Sequence, residues 1–204
     1  LSPLGYSCSG EVIAVGENVY DLFVGDKVAC GGSGAYHADV VVVNRNLCVK
    51  VPNNVDLNQA AFTTIASIAI QGIRQADLRL GENCVVIGLG LLGLMTIQVL
   101  KAAGITTIGV DINDYQVTKA RYIGSDLALN RSSEGIVQTI NDFTNGFGTD
   151  AVIIIAGTTS LDPIEFAGEV SRKKGKVIIV GAVPTGFSRS NYYKKELDLR
   201  MSSS

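Results

Sequence analysis

Three glycines have a spacing that is typical of sites that bind a dinucleotide. Gly88, Gly90 and Gly93 form a GxGxxG pattern. Gly88 permits a tight turn, Gly90 lets backbone come close to a pyrophosphate, and Gly93 lets a helix pack against a strand. The helix that follows would offer free N–H groups and the positive end of its dipole to phosphates.

A carboxylate, Asp111, follows the first glycine at the distance expected in such a site, roughly 20 residues. Asp111 would accept hydrogen bonds from a ribose 2′-hydroxyl and would repel a 2′-phosphate, which favours NAD over NADP. The alternative is a glycine turn of any parallel α/β sheet, with Asp111 as a strand-end carboxylate that caps the next helix.

The elements around these residues favour the dinucleotide site. The apolar run Cys84 to Ile87 leads into the glycines, and apolar residues after them recur at helical spacing. A second apolar run, Thr106 to Val110, ends at Asp111. The pattern therefore predicts a strand, a glycine turn, a helix and a second strand that delivers the acid.

Alternating strands and helices continue to the end of the chain. Strands are predicted at 84–88, 106–111, 126–130, 150–155, 176–181 and 196–201, with helices at 91–103, 114–123, 133–145 and 160–172. Six such strands complete an α/β fold, a doubly wound parallel Rossmann sheet with the expected order 3-2-1-4-5-6. In the last strand Leu197, Leu199 and Met201 alternate with charged residues, which predicts one buried face. This edge, 196–201, could pair with its copy in a homodimer.

The first 55 residues have a different pattern. Short segments suited to strands follow one another without helices between them, which is typical of an antiparallel, barrel-like unit. These predicted strands are Ser9–Val15, Lys27–Cys30, Ala35–Val43 and Leu47–Val51, and helical patterns follow at Leu57–Thr64 and Ile65–Ala76. We therefore predict a partial β domain over 1–55 and a dinucleotide-binding domain over 56–204.

Charge and composition exclude several classes of function. The net charge of −2 offers no basic surface for nucleic acid or an anionic membrane. Glycines break the uncharged run from Asn83 to Leu100, so a buried βα unit explains it better than a membrane span. The 4 cysteines form no CxxC pair and His37 is the single histidine, so no zinc framework is indicated. Buried free thiols favour a cytoplasmic protein.

The order of several motifs resembles one enzyme superfamily. The motifs are GYSCSGEVIAVGENV with GDKV, GAYHADVVVV, VPNNVDLNQAAF and the GLGLLG turn. Over nearly the whole chain they are similar to the medium-chain dehydrogenase/reductase superfamily, which includes zinc alcohol dehydrogenases and zinc-free quinone reductases. The resemblance implies part of a GroES-like catalytic domain followed by a Rossmann domain. The family's return to the catalytic domain is missing here, as is an initiator Met, so we interpret the chain as a piece of a longer oxidoreductase.

The resemblance does not extend to the zinc positions. Where zinc members have a histidine and then a glutamate, this chain has Tyr6 and Ser7, and a ligand cysteine would fall near Thr63. The loop that holds structural zinc would follow Cys30, where this chain has only Gly31 to Gly34. Because hydroxyls are poor zinc ligands, we expect no zinc.

The resemblance does extend to the cofactor positions. It implies pyrophosphate contacts from Gly88, Gly90, Leu91, Leu92 and Gly93. It implies that the adenosine ribose is framed by Asp111, Ile112 and Asn113. It implies that the nicotinamide half is bordered by Ser67, Ile155, Ala156, Gly157, Val180, Gly181 and Ala182. Packing alone would also account for each strand-end residue, and an ordinary helix surface for Ser67. Asp114 stands where the superfamily often has a basic residue.

The pattern and the resemblance together predict a zinc-independent oxidoreductase. We expect it to bind NAD(H) and to move hydride to or from a small carbonyl or alcohol substrate. No catalytic residue is predicted, and His37 is better explained as a structural or solvated histidine. An NADPH-dependent quinone or enone reductase is a rival that Asp111 argues against. A non-catalytic module that binds a dinucleotide or assembles a larger protein is the alternative from a different class.

Overall fold

The chain folds into two compact units. The computed structural model describes residues 4–203, and the first unit ends at Ser67 while the second begins at Ile68. The predicted domain boundary after residue 55 stays a prediction. Among residues 4–203 no helix is long and apolar enough to cross a membrane.

The first unit contains a three-stranded antiparallel sheet, which fits part of a GroES-like domain. Its strands, in spatial order, are β1 (Ser7–Glu11), β2 (Lys27–Gly31) and β3 (Cys48–Lys50). A 3-10 turn (Arg45–Leu47) precedes β3, and helix α1 (Leu57–Ala60) follows it. Helix α2 (Thr63–Ala76) begins in this unit and ends in the next. A small core is formed by Leu22, Val28, Cys30 and Ala35.

The strand predicted at Ala35–Val43 is wrong. This segment joins neither sheet of the described chain, and the side chains of Val40 and Val42 are exposed. A strand needs a neighbour that satisfies its backbone N–H and C=O groups. The run of four valines at 40–43 therefore does not by itself produce a strand.

The second unit is a doubly wound parallel sheet. Its strands are β4 (Asn83–Ile87), β5 (Thr106–Asp111), β6 (Leu127–Asn130), β7 (Thr149–Ile154), β8 (Ser171–Ile179) and β9 (Asp198–Met201). Its helices are α3 (Leu91–Ala102), α4 (Asp114–Tyr122), α5 (Ile136–Phe143), α6 (Asp162–Val170) and α7 (Arg189–Lys195). All neighbours are parallel, in the order β6-β5-β4-β7-β8-β9. The predicted fold class and strand order are confirmed.

The sheet is buried on both faces. Val85 of β4 packs in the layer that contains residues of α5 and α6, whereas its neighbour Val86 packs in the layer that contains residues of α3 and α4. Burial on both faces explains why the strands are continuous apolar runs. Because the strands are parallel, all their carboxyl ends lie at one edge of the sheet.

The junction of α6 and β8 differs from the prediction. Helix α6 ends at Val170 instead of 172, and β8 begins at Ser171 instead of 176. Arg172 therefore lies in a strand, where its Nε donates to the carboxylate of Asp150 at 2.6 Å. This tertiary ion pair favours the strand over another turn of helix.

The end of the chain also departs from the predicted pattern. The sequence pattern does not indicate α7, since its segment RSNYYKK lacks apolar residues at helical spacing. Its one buried residue, Tyr192, anchors it by donating to the carbonyl oxygen of Ile164 at 2.8 Å. Met201 is exposed rather than buried, whereas Leu199 on the same face of β9 packs against the core.

Candidate dinucleotide-binding site

The three glycines of the turn after β4 have different surroundings. Gly88 has a φ of 96°, and a Cβ on it would lie 2.7 Å from the backbone nitrogen of Ala156. A Cβ on Gly93 would lie 1.9 Å from the carbonyl oxygen of Gly88. A Cβ on Gly90, in contrast, would meet no atom within 4 Å. Internal packing requires Gly88 and Gly93, but it does not require Gly90.

The open space at Gly90 lies over the start of helix α3. Gly90 is the N-cap residue and provides no side-chain cap. The N–H groups of Leu91 and Leu92 donate to no acceptor among residues 4–203. These bare donors and the positive end of the helix dipole suit an anion.

The carboxylate of Asp111 is held by backbone on both of its oxygens. Oδ2 accepts from the N–H of Leu89 at 2.6 Å, and Oδ1 accepts from the N–H of Asn113 at 2.8 Å. Each oxygen keeps a lone pair that a ribose hydroxyl could use. Capping of the next helix is done by Asn113, whose side chain accepts from the N–H of Tyr115 at 2.9 Å. Asp111 therefore does not have the capping role that the alternative interpretation gave it.

The surroundings of Asp111 are acidic. Asp114 begins α4, and its carboxylate accepts from Nδ2 of Asn130 at 2.7 Å. Arg131, the cation that follows β6, is paired with Asp162 at 2.6 Å. Its charge is thereby offset, and two carboxylates, Asp111 and Asp114, dominate this end of β5. This end of β5 therefore carries a negative local charge.

The predicted residues after β7 and β8 lie at the same edge of the sheet. The N–H groups of Ile155 and Ala156 both donate to the carbonyl oxygen of Ile87, at 2.8 and 3.0 Å. Those of Val180 and Gly181 both donate to Ile154, at 2.9 and 3.0 Å.

The backbone segments that follow β7 and β8 lie close together. A Cβ on Gly181 would lie 2.3 Å from the carbonyl oxygen of Ala156, so no side chain fits there. The carbonyl oxygen of Ala182 accepts from the N–H of Thr158 at 3.0 Å, and Gly157, which precedes Thr158, is exposed. The point between β4 and β7, where the strand order reverses, is where open α/β sheets bind ligands.

Ser67 belongs to the first unit. Its side chain is exposed, and Oγ donates to the carbonyl oxygen of Thr64 one turn earlier on α2, at 2.6 Å. Its contact with a nicotinamide stays a prediction.

Two contributors to the site were not predicted. Leu89 supplies the N–H that fixes Asp111, and Asn130 holds the loop after β5 through Asp114 and the carbonyl oxygen of Ile112. Asn130 lies directly beside Asp111 in the parallel register of β5 and β6. Comparing the last residues of predicted neighbouring strands could have found it.

Hydroxyl groups stand at the positions where zinc members of the superfamily have ligands. The hydroxyl of Ser7 donates to the carbonyl oxygen of Ala61 at 2.6 Å, and that of Thr63 donates to Ala60 at 2.7 Å. Tyr6 offers only a phenol. Within residues 4–203 no three His, Cys, Asp or Glu side chains are grouped so that they could hold a metal ion.

Comparison with known proteins identifies the family. Residues 92–204, more than half of the chain, match the family model described as zinc-binding dehydrogenase. The chain therefore belongs to the zinc-binding dehydrogenase family of the medium-chain dehydrogenase/reductase superfamily.

Two relatives and one solved structure illustrate this likeness. YdjJ of Escherichia coli, an uncharacterized zinc-type alcohol dehydrogenase-like protein, is 30% identical over 221 residues, covering 94% of this chain and 63% of its own. An NAD-dependent alcohol dehydrogenase of Sulfurisphaera tokodaii is 33% identical over 196 residues, covering 87% and 55%. Alcohol dehydrogenase TADH of Thermus sp. ATN1 has a TM-score of 0.85 at 27% identity, covering 98% of this chain and 68% of that one. The chain spans less than two thirds of both relatives.

Proposed function

We propose that the second unit binds NAD(H) at the carboxyl edge of its sheet. The contrast within the glycine turn carries this proposal, since packing requires Gly88 and Gly93 whereas Gly90 faces open space beside bare N–H groups. A gap without a side chain at a helix N-terminus suits a pyrophosphate. Asp111, held by two backbone N–H groups, would then accept from the adenosine ribose.

The preference for NAD(H) over NADP(H) rests on charge. Asp111 and Asp114 put two carboxylates at the end of β5, and Arg131 is paired with Asp162. A dianionic 2′-phosphate would have to enter this region without a free cation from Arg131 to pair with.

We further propose that the protein is an oxidoreductase that acts on a carbonyl or alcohol carbon. The bound cofactor would supply the hydride chemistry. This chain's part is to position it: the glycine turn would fix the pyrophosphate, and the segments 155–157 and 180–182 would border the nicotinamide half. The S. tokodaii relative is described as an NAD-dependent alcohol dehydrogenase, which supports both the cofactor and the substrate class.

We also propose that the reaction proceeds without zinc, although the family is named for it. The hydroxyls of Ser7 and Thr63 donate to backbone and lie where ligands would be expected. Hydroxyls or backbone N–H groups would then polarise the substrate oxygen. The same lack of ligands favours a second candidate, a module that binds the dinucleotide without catalysing a reaction.

Turnover in controlled metal conditions tests the function. The full-length protein is incubated with NAD⁺ and a panel of small alcohols, with a chelator, without one, and with added Zn²⁺. The proposal predicts NADH formation at the same rate in all three conditions. Turnover that appears only with zinc would contradict zinc independence, and saturable NADH binding without turnover would favour the non-catalytic module.

A further inference from the structure

Three of the four cysteines form a row across the sheet of the first unit. In the antiparallel register Cys8 lies opposite Cys30, and Cys30 lies opposite Cys48. Residues directly opposite each other share a face of the sheet. This row cannot be recognised from the sequence, because the three residues are far apart along the chain.

The row faces a cavity of about 560 Å³ in the first unit. All three cysteines line it, together with Arg45 and apolar residues such as Val28 and Val43. Cys30 is buried, and Cys48 is half-buried. A small solute that enters the cavity therefore meets thiols.

Cys30 and Cys48 stand in the geometry of a cross-strand disulfide pair. Their Sγ atoms are 3.5 Å apart, with Cys30 donating. The N–H of Val51 donates to the carbonyl oxygen of Lys27 at 2.9 Å, which makes that opposite pair a hydrogen-bonded one. Because hydrogen-bonded and non-hydrogen-bonded pairs alternate, Cys30 and Cys48 form a non-hydrogen-bonded pair, the type with the closer side chains. Cβ atoms in such pairs are about 4.5 Å apart, the upper end of the disulfide range.

The pair of Cys8 and Cys30 is of the other type. The N–H of Val12 donates to the carbonyl oxygen of Asp26 at 2.9 Å. The two pair types alternate along the strands, and Cys8–Cys30 lies four residue pairs from Val12–Asp26. Cys8 and Cys30 are therefore also a hydrogen-bonded pair, in which Cβ atoms lie further apart. Cys8 is therefore a neighbour of the reactive pair and not a member of it.

We propose that Cys30 and Cys48 are a redox-active dithiol, which a peroxide oxidises to a disulfide between β2 and β3. The Cys48 thiolate attacks one peroxide oxygen, the O–O bond breaks, and the departing oxygen takes a proton to leave as water. The sulfur of Cys30 then attacks the Cys48 sulfenic acid, and the S–S bond forms as the S–O bond breaks. The hydroxide released takes the Cys30 proton, so two thiols lose two electrons and peroxide becomes two waters.

The surroundings of the two cysteines indicate that Cys48 attacks the peroxide and that Cys30 attacks the sulfenic acid. Cys48 is the more accessible of the two, and its backbone is held in place by Arg45, which is paired with Asp21 and whose Nη1 donates to the carbonyl oxygen of Cys48 at 2.7 Å. Burial, together with the neighbouring Cys48, raises the pKa of Cys30 to about 12. Cys30 therefore stays a thiol until the sulfenic acid stands beside it. The disulfide would tie down both ends of the loop 31–47, which contributes one wall of the cavity.

Peptide mapping of the native chain tests the proposal. The chain is treated with hydrogen peroxide, alkylated, digested with trypsin and analysed by mass spectrometry. Cleavage after Lys27, Arg45 and Lys50 places Cys8, Cys30 and Cys48 in separate peptides. We expect peptide 28–45 linked to peptide 46–50, and release of the link by dithiothreitol. Absence of any link, a link between Cys8 and Cys30, or a link between two chains would overturn the proposal.

Two variants sharpen the test. Cys8→Ala changes a cysteine of the same row and should still lose two thiols to peroxide. Cys48→Ser should lose no thiol pair. If Cys48→Ser still forms a disulfide, Cys48 is not a member of the pair. The map of the native chain decides the matter independently should either variant fail to fold.

Discussion

At the scale of single residues, Gly90 differs from the glycines on either side of it. Gly88 and Gly93 are held against backbone atoms, so a sheet of this kind would need them with or without a ligand. Nothing in the described chain approaches the position of a Cβ on Gly90. Substitution at Gly88 or Gly93 would therefore change folding, whereas substitution at Gly90 reports mainly on what binds there.

Asp111 should set the choice between the two dinucleotides. Asp111→Asn keeps one acceptor oxygen but removes the charge that would bind the ribose hydroxyls and repel a 2′-phosphate. A hydrogen bond to a charged group contributes about 1.5–3 kcal/mol, so we expect NADH affinity to fall roughly tenfold or more. NADPH affinity should fall less or rise. Titration of the variant with both nucleotides measures the ratio.

Asp114→Asn is the matched control for that experiment. Asp114 carries the same charge nearby but is bound to Asn130 and does not touch the glycine turn. Its substitution should change the NADH to NADPH ratio only slightly. An unchanged ratio in Asp111→Asn would contradict the role given to Asp111.

At the scale of elements, Lys195 closes the end of α6. Its ammonium donates to the carbonyl oxygens of Gly168, Glu169 and Ser171, at 2.9, 2.6 and 2.8 Å. These carbonyls lie at the carboxyl end of the helix and the start of β8, where a cation is favourable. One side chain of α7 thus stabilises the junction between two other elements.

Removing this cap should destabilise the second unit. We expect Lys195→Met to lower the free energy of unfolding by about 1–2 kcal/mol, because three carbonyl oxygens lose their donor. Lys194→Met removes the exposed neighbour and should change the free energy by less than about 0.5 kcal/mol. Urea unfolding of both variants measures the difference, and equal stabilities would contradict the capping role.

Asp126, which precedes β6, should make the free energy of unfolding depend on pH. Burial raises the pKa of Asp126, but donation from Lys101 at 2.5 Å and from the N–H of Thr107 at 2.8 Å outweighs this and holds the pKa below its ordinary value. A lowered folded-state pKa means that the stabilisation is present above the unfolded-state pKa, about 4, and is lost as pH falls through the folded-state pKa.

The variant Asp126→Asn tests this dependence. It should be less stable than the native chain by about 1 kcal/mol or less at pH 7, because the site is partly solvent-screened. The difference should shrink as pH falls below the unfolded-state pKa, about 4, and through the lowered folded-state pKa. Urea unfolding at pH 7 and at a series of acidic pH values measures it. A difference that persists in acid would mean that the carboxylate charge is not the cause.

The element pattern of the second unit could be predicted from sequence because its strands are buried on both faces. Strand β5 has the predicted bounds, since its apolar run ends at a charged residue and begins after a glycine. The strand predicted at 35–43 was wrong because a run of β-branched residues indicates a preference for extended backbone but not whether a partner strand exists. Helix α7 could not be predicted, since two tertiary contacts, from Tyr192 and Lys195, hold a polar segment in place.

The candidate site was predictable to a similar degree. Spacing and residue type indicate the glycines and Asp111, because close backbone approach requires glycine and a ribose requires an acceptor. The contribution of Leu89 is a backbone N–H, which any residue could supply. Asn130 acts from the neighbouring strand, so its role depends on the register of the sheet rather than on local sequence.

At the scale of the whole molecule, β9 leaves one side of the sheet open. The N–H of Ser202 donates inward to the carbonyl oxygen of Ile179 at 2.8 Å. Because successive residues of a strand alternate in direction, the N–H groups of Leu199 and Met201 point away from the sheet. Such an edge can pair with a second copy, so the homodimer through 196–201 stays our prediction.

The substitution Met201→Pro tests this dimer. Proline removes an outward N–H, which an edge strand tolerates, and leaves the inward bonds to β8 in place. Sedimentation velocity should give twice the mass of one chain for the native protein and a single-chain mass for the variant. A native protein that sediments as a monomer at all concentrations would refute pairing through this edge.

The most direct test of the cofactor site is calorimetric titration of the chain with NADH. The account predicts saturable binding to the native chain, and loss of binding in Gly90→Asp, whose side chain would fill the gap and repel the pyrophosphate. Gly16→Asp adds the same charge at another open glycine, in the first unit, and should bind NADH like the native chain. If the folded native chain binds no NADH, or if Gly90→Asp binds it equally well, the glycine turn is structural and the proposed dinucleotide site is wrong.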